Sequence, residues 1–329
     1  MSKKISVTII GSGSWGLALA LALNRSLTNV KVLFKNPKKA SKVRLIRKST
    51  YLPFVKIPQT IKIISNYDEI KDSNYIFLAI PSQSLRNVLK NFKDIKNYNY
   101  NFVICSKGIE KITNKLMSEV LLEIFPKTVP IVLSGPNFAH EVARDLPTAF
   151  VLSGEKEETL MKLGDLVSTP NFRPYFNTDI IGTQIGGVLK NIISIACGIV
   201  VGKKLGENAK ASILSRGLNE MVSLGTKLGA KKETFMGLSG LGDLALSCNS
   251  NKSRNMKFGL RLGQGEFLED ILNNSPLVEG VNCCESVQEL SRQKKIELPI
   301  CNTISNIING KSIDDEIMSL ISRPLQFEK

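Results

Sequence analysis

The chain has a single histidine, His140, and a single tryptophan, Trp15. One histidine excludes a histidine-ligated metal cluster and leaves any serine triad dependent on that one residue. Aromatic residues make up only 6% of the sequence, and none interleave with cations as an RNA-binding motif would. The six cysteines (Cys105, Cys197, Cys248, Cys283, Cys284, Cys301) include no C-x-x-C pair. Lys3 and Lys4 precede apolar residues, but that run breaks at a glycine turn, too early for a secretion signal. Reduced thiols in a cytoplasmic protein are therefore expected. There is no repeat and no low-complexity linker. The longest apolar stretch, Ile180 to Gly202, carries Gln184, Lys190 and Asn191 near its middle, so a buried helix with a polar task is expected there, not a membrane span.

What is present is the composition of an ordinary globular protein: 329 residues, 43% hydrophobic, 22% charged, mean hydropathy +0.01. That length allows two domains with well-buried cores. Forty-four basic residues against 29 acidic ones leave a formal charge of +15, which suits either an anionic partner or compositional drift. The lysines are scattered along the chain, which favours drift plus a few functional cations over a nucleic-acid groove.

The stretch that organises the rest comes first. An apolar run, Ser6 to Ile10, meets the turn Gly11-Ser12-Gly13-Ser14-Trp15-Gly16 and then the apolar stretch Leu17 to Leu23. This reads as strand, glycine turn and helix, and matches the G-x-G-x-x-G fingerprint of dinucleotide binding. Gly11 permits the tight turn, Gly13 lets the backbone approach a pyrophosphate, and Gly16 lets the helix pack on its strand. The helix N-terminus then offers N–H groups to the phosphates. Trp15 either packs on the nucleotide or anchors the first helix in the core.

Strand-like runs follow at Val30–Phe34, Ile61–Ile64, Tyr75–Ile80, Phe102–Cys105, Pro130–Leu133, Ala149–Leu152 and Arg173–Phe176, separated by helix-length segments. Such alternation predicts an α/β fold with a doubly wound, mainly parallel, Rossmann-type sheet. Asn36-Pro37 opens a helix with proline in its first turn. Beyond about residue 180 strand signals stop and helical segments take over: Ile180–Val201, Glu207–Leu228, Ser253–Leu262, Glu279–Lys295 and Ile313–Ile321. We therefore expect a dinucleotide-binding domain over residues 1–180 and an α-helical substrate and catalytic domain over 181–329.

Ligands of such sheets lie beyond the carboxyl ends of the strands. Lys35 stands after the second strand, where an acid would favour NAD and a cation the 2′-phosphate of NADP. Pro81-Ser82-Gln83 is expected to cap a helix. Ser106-Lys107-Gly108-Ile109-Glu110 places a lysine at the crevice, and Ser134-Gly135-Pro136-Asn137-Phe138-Ala139 forms a second glycine turn. His140 reads as a helix-surface or capping residue, not a catalytic one. In the helical half, Lys190 and Asn191 sit on an apolar helix, where desolvation disfavours a lysine's charge unless it is paired or used. The alternative is a lysine that snorkels to the surface. Gly237-Leu238-Ser239-Gly240-Leu241-Gly242-Asp243 is a glycine-rich turn ending in an acid. Ser253-Arg254-Asn255 opens a helix with groups that suit a phosphate, with N-capping by Ser253 as the plainer reading.

With GSGSWG, SKGIE, SGPNFA, LKN, GLSGLGD, SRN and VEG in that order, the chain resembles the NAD(P)-dependent glycerol-3-phosphate dehydrogenases, most closely the bacterial branch, along nearly its whole length. The resemblance implies reversible reduction of dihydroxyacetone phosphate to sn-glycerol 3-phosphate, the backbone of phospholipids, with no metal, and it admits a homodimer. It places Ser14, Trp15, Lys35, Ala139, Leu277 and Glu279 at the cofactor. Gly135, Asn137, Asp243, Ser253, Arg254 and Asn255 fall at the substrate, with Arg254 also near the cofactor and Lys107 serving either ligand. Lys190 matches the proton-transfer residue, with Lys107 and Asp243 assisting. Two positions depart from many relatives: Lys35 is often arginine, and Asn137 replaces a hydroxyl residue. A 6-phosphogluconate or ketopantoate type reductase, or a nucleotide-binding regulator, are the competing readings.

Overall fold

The structure, a computed structural model, describes residues 5–27, 29–92, 100–275, 277–325 and 327. The described residues hold eight strands in one sheet: β1 (Val7–Ile10), β2 (Val30–Leu33), β3 (Ile61–Ile64), β4 (Tyr75–Leu78), β5 (Asn101–Ile104), β6 (Ile131–Ser134), β7 (Thr148–Ser153) and β8 (Phe172–Asn177). Their order is β3-β2-β1-β4-β5-β6-β7-β8. The first six strands are parallel in the doubly wound Rossmann order, while β7 runs antiparallel to β6 and β8 parallel to β7. The order reverses between β1 and β4, which is the topological switch point where such sheets bind ligands. Helices α1 (Ser14–Leu23), α2 (Pro37–Ile46), α3 (Leu85–Lys90), α4 (Met117–Ile124), α5 (Ala139–Ala143) and α6 (Glu157–Val167) accompany the strands.

Because both faces of the sheet are covered, its central strands are apolar without alternation. Val7 and Ile9 of β1 join one core with Leu17, Leu19 and Leu23 of α1. Ile10 joins the opposite core with Ile76 and Leu78 of β4 and Leu85 and Leu89 of α3. Asn36 caps α2 by accepting the Lys39 N–H, with Pro37 at the first helical position, as the sequence leads one to expect. Pro81-Ser82-Gln83 does not cap a helix: Ser82–Ser84 forms a 3-10 turn, and no side chain caps either it or α3.

The remainder is helical: α7 (Ile180–Gly202), α8 (Glu207–Lys227), α9 (Asp243–Cys248), α10 (Arg254–Gly263), α11 (Leu268–Asn274), α12 (Glu279–Gln293), α13 (Pro299–Ile308) and α14 (Ile313–Ile321). Compactness divides the chain into Met1–Gly108 with Lys115–Gln184, and Ile109–Asn114 with Ile185–Lys329. Helix α7 is long and apolar enough to cross a membrane by length and composition, but 83% of its most apolar window is buried inside the protein. It is a core helix.

Helix α13 is held in an unusual way. Buried Glu220 of α8 accepts the Ile300 N–H at 2.6 Å on Oε1 and the Cys301 N–H at 3.0 Å on Oε2. A carboxylate thus satisfies two of the orphan donors at the helix N-terminus. Burial nevertheless raises its pKa from 4.5 to about 7, outweighing these two bonds and the charge of Arg216. With the folded value raised above the unfolded one, the native state holds an extra proton between them. This stability is complete below about pH 4.5 and is lost as pH rises through about 7, amounting to about 3 kcal/mol in all. Glu220→Gln should remove that slope. Urea unfolding at pH 5 and pH 8 checks this, and equal slopes in the two proteins would show that Glu220 does not titrate there.

Candidate active site

One candidate cluster is built at the switch point. Gly11 has φ +120°, and a Cβ there would lie 2.1 Å from the carbonyl oxygen of Ala79, so only glycine fits this turn. Gly13 is different. It has φ −75° and ψ −177°, which any residue adopts, and a Cβ there would meet no atom within 4 Å. Nothing inside the protein requires this glycine, so the space it leaves suits a ligand that approaches the backbone. Gly16 packs against the Gly11 carbonyl, fitting the helix to its turn. No side chain caps α1 and its first turn carries no acid, which leaves the positive end of the helix available to an anion.

Around this turn the Ser14 Oγ donates to the Tyr51 carbonyl at 3.2 Å, and half-buried Trp15 packs against the adjacent core. Lys35 is exposed just past β2, and the first turn of α2 holds no acid. At the end of β6 the Lys107 Nζ donates to the Gly135 carbonyl at 3.0 Å. Gly135 has φ +127°, and a Cβ there would fall 3.3 Å from the Asn137 side-chain nitrogen, so lysine, glycine turn and amide form one cluster. Both polar atoms of the Asn137 amide are buried without a hydrogen-bond partner among the described residues. Buried amides are seldom left so, which makes Asn137 a group waiting for a ligand. Ala139 is the first residue of α5 and packs on the core, with His140 next to it facing Glu141 at 3.4 Å.

A separate cluster lies in the helical unit. Lys190 of α7 donates through Nζ to Asp243 Oδ1 at 2.8 Å and to Ser247 Oγ at 2.9 Å. The lysine side chain is 13% exposed and the carboxylate 1%. Lys190 is therefore anchored and does not snorkel. An ammonium has three N–H groups, and two are committed here, which leaves one for a reacting oxygen. Asp243 is placed by the glycine-rich turn Leu238–Gly242, which forms a π-helical turn directly before α9. Such turns recur at functional sites.

Ser253 caps α10, its Oγ accepting the Met256 N–H at 3.3 Å, so the plain reading of this serine holds. Arg254, the first residue of α10, is exposed, and among the described residues its guanidinium pairs with nothing. Asn255 is largely spent inside the protein: its Nδ2 donates to Asn191 Oδ1 at 2.8 Å and its Oδ1 accepts the Gly280 N–H at 3.1 Å. One N–H of Asn255 is left for a ligand. Through this chain of amides, α7, α10 and the start of α12 are held in register. Glu279 opens α12 half-buried, and Leu277 before it is exposed.

The structure thus brings Lys107, Gly135 and Asn137 together in one unit, and Lys190 with Asp243 in the other. Sequence reasoning missed Ser247 and the bridging role of Asn191. The signal for Ser247 was its spacing of four from Asp243, which puts both on one helix face.

Two family models match consecutive parts of the chain, the N-terminus of NAD-dependent glycerol-3-phosphate dehydrogenase over residues 6–160 and its C-terminus over residues 179–319. The chain is 38% identical over 325 residues to a glycerol-3-phosphate dehydrogenase [NAD(P)+] of Parvibaculum lavamentivorans, covering 98% of each chain. It is 40% identical over 331 residues to that of Maricaulis maris, covering 100% of this chain and 99% of the relative. A crystal structure of glycerol-3-phosphate dehydrogenase from Coxiella burnetii superposes with a TM-score of 0.93 at 33% identity, covering 97% of this chain and 99% of the other.

Proposed function

The chain belongs to the NAD-dependent glycerol-3-phosphate dehydrogenase family, and from that premise we propose that it reversibly reduces dihydroxyacetone phosphate to sn-glycerol 3-phosphate with NAD(P)H. The observation that carries the chemistry is the Lys190–Asp243–Ser247 constellation: a lysine anchored on an apolar helix with one N–H uncommitted. When bound, the nicotinamide supplies the hydride. Lys190 donates a proton to the oxygen of the central carbon as charge develops there, and accepts it in the reverse direction. Asp243 and Ser247 hold the ammonium in place. Arg254 and the N-terminus of α10 hold the substrate phosphate, a guanidinium and a helix end both being suited to it. Asn137 and Lys107, grouped at the end of β6, hold the polar end of the substrate or the cofactor. Gly11, Gly13, Ser14, Trp15 and Gly16 cradle the cofactor, with Ala139, Leu277 and Glu279 beside it. Residues 1–180 would then serve chiefly the cofactor and 181–329 the substrate and the proton transfer. We further read the protein as a cytoplasmic homodimer that supplies glycerol 3-phosphate for phospholipid synthesis. Incubation with NADPH and dihydroxyacetone phosphate should yield sn-glycerol 3-phosphate, identified by phosphorus NMR; failure to form it with either cofactor would overturn the reading.

Two side chains give separate tests. Arg254→Lys keeps the charge but loses the planar fork, so KM for dihydroxyacetone phosphate should rise by about tenfold or more with folding unchanged. An unaltered KM would place the phosphate elsewhere. Lys35→Asp puts a carboxylate where a 2′-phosphate would lie, and should weaken NADPH binding far more than NADH binding. Equal effects on both cofactors would return Lys35 to the ordinary surface.

A further inference from the structure

The cations are not spread as evenly as their overall number suggests. Between residues 35 and 62 there are nine lysines and arginines and no acidic residue. None of the nine forms an ion pair among the described residues. Arg44 and Arg47 donate to backbone carbonyls of Ile63 and Ile61, which leaves their charge uncompensated. Helix α2 buries Ala40 and Val43. At 100° per residue, the ridge opposite these two carries Lys38, Lys42 and Leu45.

This ridge is apolar as well as basic. Leu45 is 84% exposed, and Ile46, Tyr51 and Phe54 are 45%, 50% and 45% exposed. Phe54 also carries the Arg144 guanidinium over its ring, 4.3 Å from the centroid. Cations alone suit any polyanion. Leucine, isoleucine and phenylalanine side chains standing beside them gain nothing from a hydrated phosphodiester backbone, but are stabilised at the boundary between headgroups and acyl chains. We propose that the α2 ridge and the segment after it, through Lys42, Lys48, Leu45 and Phe54, form a docking surface for an anionic lipid membrane. Lys35 is left out because it is assigned to the cofactor; the surface goes beyond the proposed reaction and does not depend on it.

The full chain is to be floated with vesicles of one part phosphatidylglycerol to two parts phosphatidylcholine, and with phosphatidylcholine alone. Binding is expected only to the first and should weaken as salt rises. The double variant Lys42→Ala/Lys48→Ala should lower the partition coefficient by about 25-fold, at about fivefold per lysine. Leu45→Ser, which leaves the charge unchanged, should lower it at least about threefold. Both variants should keep the wild-type unfolding midpoint and turnover, since these side chains face solvent and touch no catalytic group. Three results would overturn the proposal. The first is no binding to the anionic vesicles. The second is binding that ignores all three substitutions, or that Leu45→Ser leaves intact while duplex DNA competes fully, which would indicate a general polyanion site. The third is a dimer that Leu45→Ser dissolves without any vesicle binding, which would make a second copy the occupant.

Discussion

Replacing Lys190 with methionine should lower kcat for dihydroxyacetone phosphate reduction by at least about two orders of magnitude, the low end of what a positioned general acid contributes. Methionine keeps much of the stem's volume and removes all three donors. The affinity for NAD(P)H should survive, because the glycine turn belongs to the other unit. Asp243, 1% exposed, would lose the ammonium that donates to its Oδ1, and removing one member of a buried ion pair is costly. Lys190→Met/Asp243→Asn relieves that cost, so it should recover stability without recovering rate. Stability and turnover measured on both variants separate the two roles. A near-normal kcat in a folded Lys190→Met protein would take Lys190 out of the reaction and make Lys107 the next candidate.

The second large effect concerns a residue that touches nothing. Gly13→Val should raise the Kd for NAD(P)H by about 100-fold or more, equivalent to about 2.7 kcal/mol, while leaving the melting temperature unchanged. The backbone at Gly13 is extended, which valine favours, and its Cβ would enter space free of protein atoms. Gly11→Val is the internal control. There the Cβ would collide with the Ala79 carbonyl, so folding itself should suffer. Calorimetric titration of cofactor into both folded proteins checks the first effect, and thermal unfolding the second. Unaltered affinity in Gly13→Val would mean the pyrophosphate does not approach this turn.

Much of this was legible before any coordinates, for identifiable reasons. Strands buried on both faces are nearly continuous apolar runs, so β1 and β4 stand out from their flanks, β2 and β3 stand out as valine- and isoleucine-rich runs with one lysine each, and the glycine fingerprint fixes the first turn. The antiparallel pairing of β7 with β6 was not legible, since an apolar run carries no sign of its direction. Helix α13, Pro299–Ile308, escaped because its isoleucines, threonine and asparagines are indifferent helix formers. What holds it is tertiary: the carboxylate of Glu220, 80 positions earlier, on its N-terminal amides. At the candidate site, Lys190 and Asp243 could each be singled out, one as a lysine on an apolar helix and the other as the acid ending a glycine-rich turn. Their pairing across 53 positions has no local signal, and only the family resemblance set Asp243 to assist Lys190. Ser247 stands four residues after Asp243, a signal that counts only if both lie on one helix, as α9 shows they do. Asn255 reads in sequence as a phosphate ligand, and in the structure much of its amide is bound to Asn191 and Gly280, which no local pattern signals.

The most direct measurement is the initial rate of NADH and NADPH oxidation by the purified protein with three substrates side by side: dihydroxyacetone phosphate, dihydroxyacetone without its phosphate, and ketopantoate. The proposed Lys190 proton transfer together with the proposed phosphate contacts at the start of α10 predicts turnover of dihydroxyacetone phosphate, with the other two slower by several orders of magnitude in kcat/KM. Comparable rates with dihydroxyacetone, or faster oxidation with ketopantoate, would contradict it.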